Sequence, residues 1–279
     1  MREEFLGFAD KLIGQDDLVS VYESLIKIFD ENCLFHEEGA CNEKLWHITQ
    51  KPELYKKVGD VFANKVGNFE VAFHAYNRYI QFSDENFYRN YMRAVKKLGY
   101  EYDKPDEDDY TLEIIKLCDA FDAIVYMMIC LFRQKEYNAI FEMDKKLYEM
   151  QCKINEYIAR YPDIDSESYV NDNVYSIKHL SQILSENKHH NDINLLAIKY
   201  DNTNKQAYIN IIGDYITYKN YNEAIHFYNC TYSNIFSLSN TNNIVDICWH
   251  VSDYYRDNFD FYNSVYFQKH ALEIYMKEV

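Results

Sequence analysis

The chain has 279 residues, 48% of them hydrophobic, and its 45 acidic against 29 basic side chains give a formal charge of −16. That length and apolar content support a sizeable buried core and exclude a disordered chain. The acidic balance makes nucleic acid and anionic membrane surfaces poor partners, because both are held by clustered Lys and Arg, and it favours basic or mixed-charge polypeptides instead.

Only 7 Gly and 3 Pro occur in the whole chain. Sheet-rich folds write their frequent turns with these residues, so their scarcity predicts an all-α protein of long helices. Apolar residues recurring at steps of three and four place helices at about 2–13, 16–30, 42–49, 52–65, 68–82, 84–98, 108–134, 136–161, 167–186, 190–200, 204–218, 221–235, 241–257 and 260–277. Pro52 stands near the first position of its helix, where its missing N–H costs nothing. "SDENF" at 83–87 offers a Ser or Asp cap. The 108–134 segment spreads Leu112, Cys118, Val125, Met127 and Leu131 over a broad face, as a central helix requires. Its apolar run, "AIVYMMICLF" at 123–132, is far too short to cross a bilayer. Pro162 stops the helix that follows. "DENCLFHEEGACNE" at 31–44 and "GYEYDKPDED" at 99–108 read as irregular, the second as a candidate boundary.

Seven cysteines occur without a C-x-x-C pair, and Cys118, Cys130 and Cys152 fall in apolar helical patterns, where Cys acts as a small buried hydrophobe. The opening "MREEFLGFADKL" is charged and amphipathic rather than a signal peptide. Free thiols without an export signal point to a reducing cytoplasm.

Three phrases resemble one another: "VGNFEVAFHAY" at 66–76, "KNYNEAIHFY" at 219–228 and "DNFDFYNSVYFQKHAL" at 257–272. Aligned on Ala72, Ala224 and Ser264, each has an aromatic three positions earlier: Phe69, Tyr221 and Phe261. Tyr76 and Tyr228 follow four positions later, and Ala271 follows Ser264 by seven. A helix precedes each phrase and carries Tyr215 in the second copy and Tyr255 in the third. The first copy carries one extra residue between Phe62 and Gly67. A weaker fourth copy, "QKEYNAIFEMDKKLY" at 134–148, offers Tyr137, Ile140 or Ala139, and Leu147.

This pattern of small and aromatic positions resembles the tetratricopeptide repeat, a helical hairpin of about 34 residues. It departs from that repeat at Ile212, where a Gly or Ala is usual, and at Gln268, where an aromatic is usual. The resemblance implies a right-handed superhelix of antiparallel hairpins, each covering the apolar flank its neighbour cannot hide alone. It divides the chain into N-terminal helices at 1–50, a repeat at 51–98, divergent hairpins at 99–200 and two repeats at 201–279, in one continuous domain. Phe69, Ala72, Tyr76, Tyr215, Tyr221, Ala224, Tyr228, Tyr255, Phe261, Ser264 and Ala271 are then packing residues within and between pairs. His74 and His226 both stand two positions past the small residue and read as structural.

Motifs that carry chemistry are scarce. No Gly-rich phosphate loop, nucleophile elbow or H-E-x-x-H is written. "EAIH" at 223–226 is a single E-x-x-H where a di-iron bundle needs two, and "NKHHND" at 187–192 reads as a polar loop. "DEDDYTLE" at 106–113 and "DAFD" at 119–122 resemble the magnesium motifs of all-α prenyl-diphosphate enzymes, with only "NDNVYS" at 171–176 as a poorly spaced second half. Acids in a first helical turn account for the former without metal. The expectation is therefore a non-catalytic scaffold without cofactor or metal. It binds a basic or neutral protein or peptide along a concave face formed by Lys56, Asp60, Asn64, Asn210, Asp214, Thr217, Asp246, His250 and Asp253. The uncapped ending "HALEIYMKEV" adds two alternatives: a homodimer through the C-terminal helix, or the repeat region of a larger bacterial enzyme or regulator; the acid-rich motifs leave an all-α metal-dependent enzyme as a third.

Overall fold

A computed structural model of the chain describes residues 1–14, 17–83, 109–162, 166–236 and 241–276; within these, side chains at 83, 109–112, 166–173, 232–236, 241–244, 246, 274 and 275 lie outside the description. The segments expected at 84–98 and 99–108 also fall outside it. Thirteen α-helices and no strand are present among the described residues. They are α1 Arg2–Ile13, α2 Leu18–Glu31, α3 Phe35–Thr49, α4 Glu53–Val61, α5 Phe69–Ser83, α6 Asp109–Arg133, α7 Tyr137–Arg160, α8 Ser166–Leu184, α9 Asn191–Tyr200, α10 Lys205–Thr217, α11 Tyr221–Phe236, α12 Thr241–Asp257 and α13 Phe261–Met276. None of the described helices is long and apolar enough to cross a membrane.

The chain divides into two compact units, Met1–Val174 and Tyr175–Val279, a division that falls inside α8. In the first unit, α2 packs on α3, α3 on α4, α4 on α5 and α6 on α7, while α1 lies against α6 and α7. The centre is α6. From Phe121 to Phe132 every residue except Tyr126 is buried, among them Ile124, Met127, Met128 and Leu131. In the second unit α9 packs on α10, α10 on α11 and α12, and α12 on α13. One cluster there joins Tyr208, Ile212, Ala224, Tyr228, Cys248, Phe267 and Ala271.

The hairpins share a turn. Lys135, Lys219 and Phe259 each adopt a left-handed conformation, with φ of 62°, 60° and 61°. The following N–H, of Glu136, Asn220 and Asp260, donates to the carbonyl five residues back, on Leu131, Tyr215 and Tyr255, at 2.9, 2.8 and 2.9 Å. This closure satisfies carbonyls that a helix end would otherwise leave unpaired. The next helix then starts on a polar cap, as where Asp260 Oδ1 accepts from the Asn263 N–H at 3.1 Å.

The hairpin of α4 and α5 has the same turn with one residue more. Gly67 takes the left-handed position at φ 78°, but the Asn68 N–H donates to Phe62, six residues back, at 2.9 Å. The surplus is absorbed in a π-helical turn, Phe62–Val66, that continues α4. A π turn widens the backbone ring by one residue, so the extra residue leaves the hairpin intact.

One helix differs from expectation. The stretch 31–44, read as irregular, lies mostly within α3, which begins at Phe35. Glu37, Glu38, Gly39 and Asn42 are all buried in it, so its inward face is polar or small and breaks the apolar rhythm.

Candidate functional site

Where α3, α4 and α5 meet, the first unit opens a cleft of about 510 Å³. Its apolar lining is Ala40 from α3, Val58 and Phe62 from α4 and its π turn, and Val71 and Ala75 from α5. Two glycines set these walls. A Cβ on Gly39 would stand 2.5 Å from Phe62 Cε2, and one on Gly59 would stand 2.5 Å from Tyr76 Cε1. Only a bare backbone lets those rings lie so close, so the glycines fix how nearly α3, α4 and α5 approach.

Polar groups ring this floor. Arg78 Nη1 donates to the Tyr55 hydroxyl at 2.8 Å, and the guanidinium carbon lies 5.4 Å from the centre of the Tyr55 ring. Glu43 Oε1 is 3.6 Å from the same nitrogen. Burial lifts the Tyr55 phenol above its ordinary pKa although Arg78 pulls the other way, so the ring stays a neutral hydrogen-bonding wall. Behind it, Trp46 packs on Tyr55 with centroids 4.4 Å apart. His74, Asn77 and Gln81 complete the rim from α5. Asn77 and Gln81 offer amide donors and acceptors, while Glu43 and Arg78 offer one charge of each sign.

None of the residues expected to form a groove lines this cleft. Lys56, Asp60 and Asn64 are not in the cleft lining. Lys56 Nζ holds Asp60 Oδ2 at 2.7 Å, and the Tyr76 hydroxyl donates to Asp60 Oδ1 at 2.8 Å, on another side of α4. Asn210 and Asp214 are buried. Asn210 Nδ2 donates to the Ser185 carbonyl at 2.7 Å and to Asn194 Oδ1 at 2.9 Å. One turn away, Asn204 Nδ2 donates to the Ser181 carbonyl at 2.9 Å, and Ser181 Oγ to the Ala197 carbonyl at 2.7 Å. These side chains bolt α8, α9 and α10 together in the second unit. Asp214 Oδ1 lies 3.5 Å from His189 Nδ1, and Thr217 donates back to the Gly213 carbonyl at 2.8 Å. Asp253 pairs with Arg256 at 2.8 Å, His250 is exposed, and the Asp246 side chain lies outside the described residues.

Among the packing residues, Ala72, Ala224, Ser264, Tyr228 and Ala271 are buried, with Tyr76, Tyr215 and Tyr255 partly so. Tyr221 stacks on Tyr254 of α12 at 4.3 Å. Phe69 and Phe261 depart from the expectation, being 72% and 61% exposed. The first position of a helix does not by itself bury a ring: Tyr221 also begins its helix, and it is covered by the stacked ring of Tyr254. His74 and His226 are both exposed.

The acids of "DAFD" have a partner within the protein. Lys44 Nζ lies 2.7 Å from Asp122 Oδ2 and 3.3 Å from Asp119 Oδ1, and the Tyr22 hydroxyl donates to the Asp119 carbonyl at 2.7 Å. The two carboxylates and their lysine knit α2, α3 and α6. Among the described residues, no group of three or more His, Cys, Asp and Glu side chains is placed to hold a metal ion. The cysteines are free thiols, with Cys33 and Cys230 exposed. Neither a protein-family model nor a curated protein sequence matches the chain.

Proposed function

We propose that this protein is a non-catalytic scaffold that binds a protein or peptide segment, and that the cleft between α3, α4 and α5 receives it. The observation that carries this reading is the cleft itself: an apolar floor at Val58, Phe62 and Ala75, ringed by Arg78, Glu43, Asn77 and Gln81. That combination of a greasy trough with main-chain-bonding amides suits an extended or helical peptide. The chain's charge of −16 selects against acidic partners and steers basic or neutral segments inward. In this reading the hairpins belong to a superhelix like that of tetratricopeptide repeats, and the free thiols suit a reducing cytoplasm.

The test is selection from a displayed random peptide library on the intact chain, followed by calorimetry of the enriched peptides. Val71 lines the cleft and is partly exposed, so Val71→Arg blocks it without opening the core. Enriched peptides are expected to be basic or neutral and to lose at least about tenfold in affinity on Val71→Arg, roughly 1.4 kcal/mol. Enrichment of acidic peptides, or equal binding by the variant, contradicts the proposal.

A further inference from the structure

Register positions that are sealed on α11 lie open on α13. On α11, Tyr221 stacks on Tyr254 at 4.3 Å, Asn222 Oδ1 accepts from the Tyr254 hydroxyl at 3.5 Å, and Ile225 is 9% exposed. With Ser264 aligned on Ala224, the same positions on α13 are Phe261, Tyr262 and Val265, exposed by 61%, 82% and 60%. Leu272 and Met276, exposed by 52% and 73%, continue the row. Phe261, Val265, Leu272 and Met276 follow one another by four, seven and four residues, which keeps them on one face of a helix.

That spacing reads the same from either end. If two α13 helices lie antiparallel about a two-fold axis, Phe261 of one faces the partner's Met276, and Val265 faces the partner's Leu272. A stripe that is its own complement under a two-fold rotation is the signature of an isologous contact. Electrostatics agree. Apart from His270, the charged residues of α13 are Lys269 and Glu273, which lie 3.8 Å apart, so this helix is neutral in a strongly acidic chain. Antiparallel pairing also sets each helix N-terminus beside the other's C-terminus, where their dipoles attract. We infer that the protein forms a homodimer in which α13 packs antiparallel on α13 of a second copy.

The decisive experiment is sedimentation velocity of the intact chain across a concentration series, with reductant present to keep the exposed Cys33 and Cys230 from cross-linking. The wild-type chain is expected to pass from monomer to dimer as concentration rises. Val265→Glu should weaken association at least about tenfold, because a charge enters the contact, with unchanged helicity because the site is exposed. Mixing Val265→Lys with Leu272→Glu should restore association beyond that of either variant alone, since residue 265 of one copy meets residue 272 of the other. A monomer at every concentration, a Val265→Glu dimer as tight as wild type, or no gain on mixing overturns the inference. Because α13 contributes nothing to the cleft, Val71→Arg is expected to leave this association unchanged.

Discussion

Ser252 Oγ and Ser264 Oγ stand 3.1 Å apart, both buried, where the two helices of the last hairpin press together. Twelve residues separate them, and the same separation joins Ile212 to Ala224 in the preceding hairpin, within one buried cluster. Each hydroxyl is the other's partner, so removing one strands the other. Ser264→Ala alone is expected to cost about 1–3 kcal/mol, while the double change Ser252→Ala with Ser264→Ala should cost less than the sum of the single changes. Urea titrations of the four chains measure this. Simple additivity would mean that the hydroxyls do not depend on each other.

The glycines that admit Phe62 and Tyr76 should reverse the usual helix preference. Replacing Gly by Ala inside a helix ordinarily stabilises by about 1 kcal/mol. At Gly39 and Gly59 the new methyl meets a ring at 2.5 Å, so each substitution should lower stability by about 1–3 kcal/mol. Thermal melts check the sign. Shortening the opposing ring, with Tyr76→Leu beside Gly59→Ala, should recover part of the loss.

Alkaline pH should drain stability in steps. Burial lifts the Cys248 thiol to about 11. Burial, with help from Glu37, lifts the Cys130 thiol to about 12. Burial alone would lower the pKa of Lys44, but Asp122 and Asp119 outweigh it and leave the ammonium group raised. A group raised in the fold contributes fully below its unfolded pKa, and the contribution is lost as pH climbs through the folded value. The thiol share therefore falls from about pH 8.5 upward and the Lys44 share from about pH 10.4. Unfolding free energies measured from pH 8 to 11 should decline, and Cys248→Ala should flatten the decline. At neutral pH, Lys44→Met leaves two buried carboxylates without their cation and should cost about 3–5 kcal/mol.

Phe259 is exposed and left-handed at φ 61°, a conformation that L side chains adopt at a cost. Phe259→Gly is expected to raise the unfolding free energy from urea titration, by up to about 1 kcal/mol, because the relieved strain exceeds the entropy glycine adds to the unfolded chain. The mirror change, Gly67→Ala, should lower it.

The all-α class was legible from the scarcity of Gly and Pro, and the hairpin borders from the recurrence around Ala72, Ala224 and Ser264. Even the surplus residue between Phe62 and Gly67 could be counted in advance; that it becomes a π turn, and that Phe62 lines a cleft, could not. Helix α3 was half missed because Gly39, Glu37, Glu38 and Asn42 face inward, and a reading based on apolar rhythm treats such residues as surface. The same assumption put Asn210 and Asp214 in a groove, whereas asparagines that satisfy each other's hydrogen bonds are buried at little cost. Glu43, Tyr55 and Arg78 went unnoticed because they come from three helices, and no spacing along one helix brings them together.

Chemical-shift mapping with a library-selected peptide tests the binding account most directly. Titration should move the backbone amides of Val58, Val71, Ala75 and Arg78 and leave those of Asn210, Asp214 and Asp253 in place. Shifts centred on α10 and α12, or none along α3, α4 and α5, would contradict it.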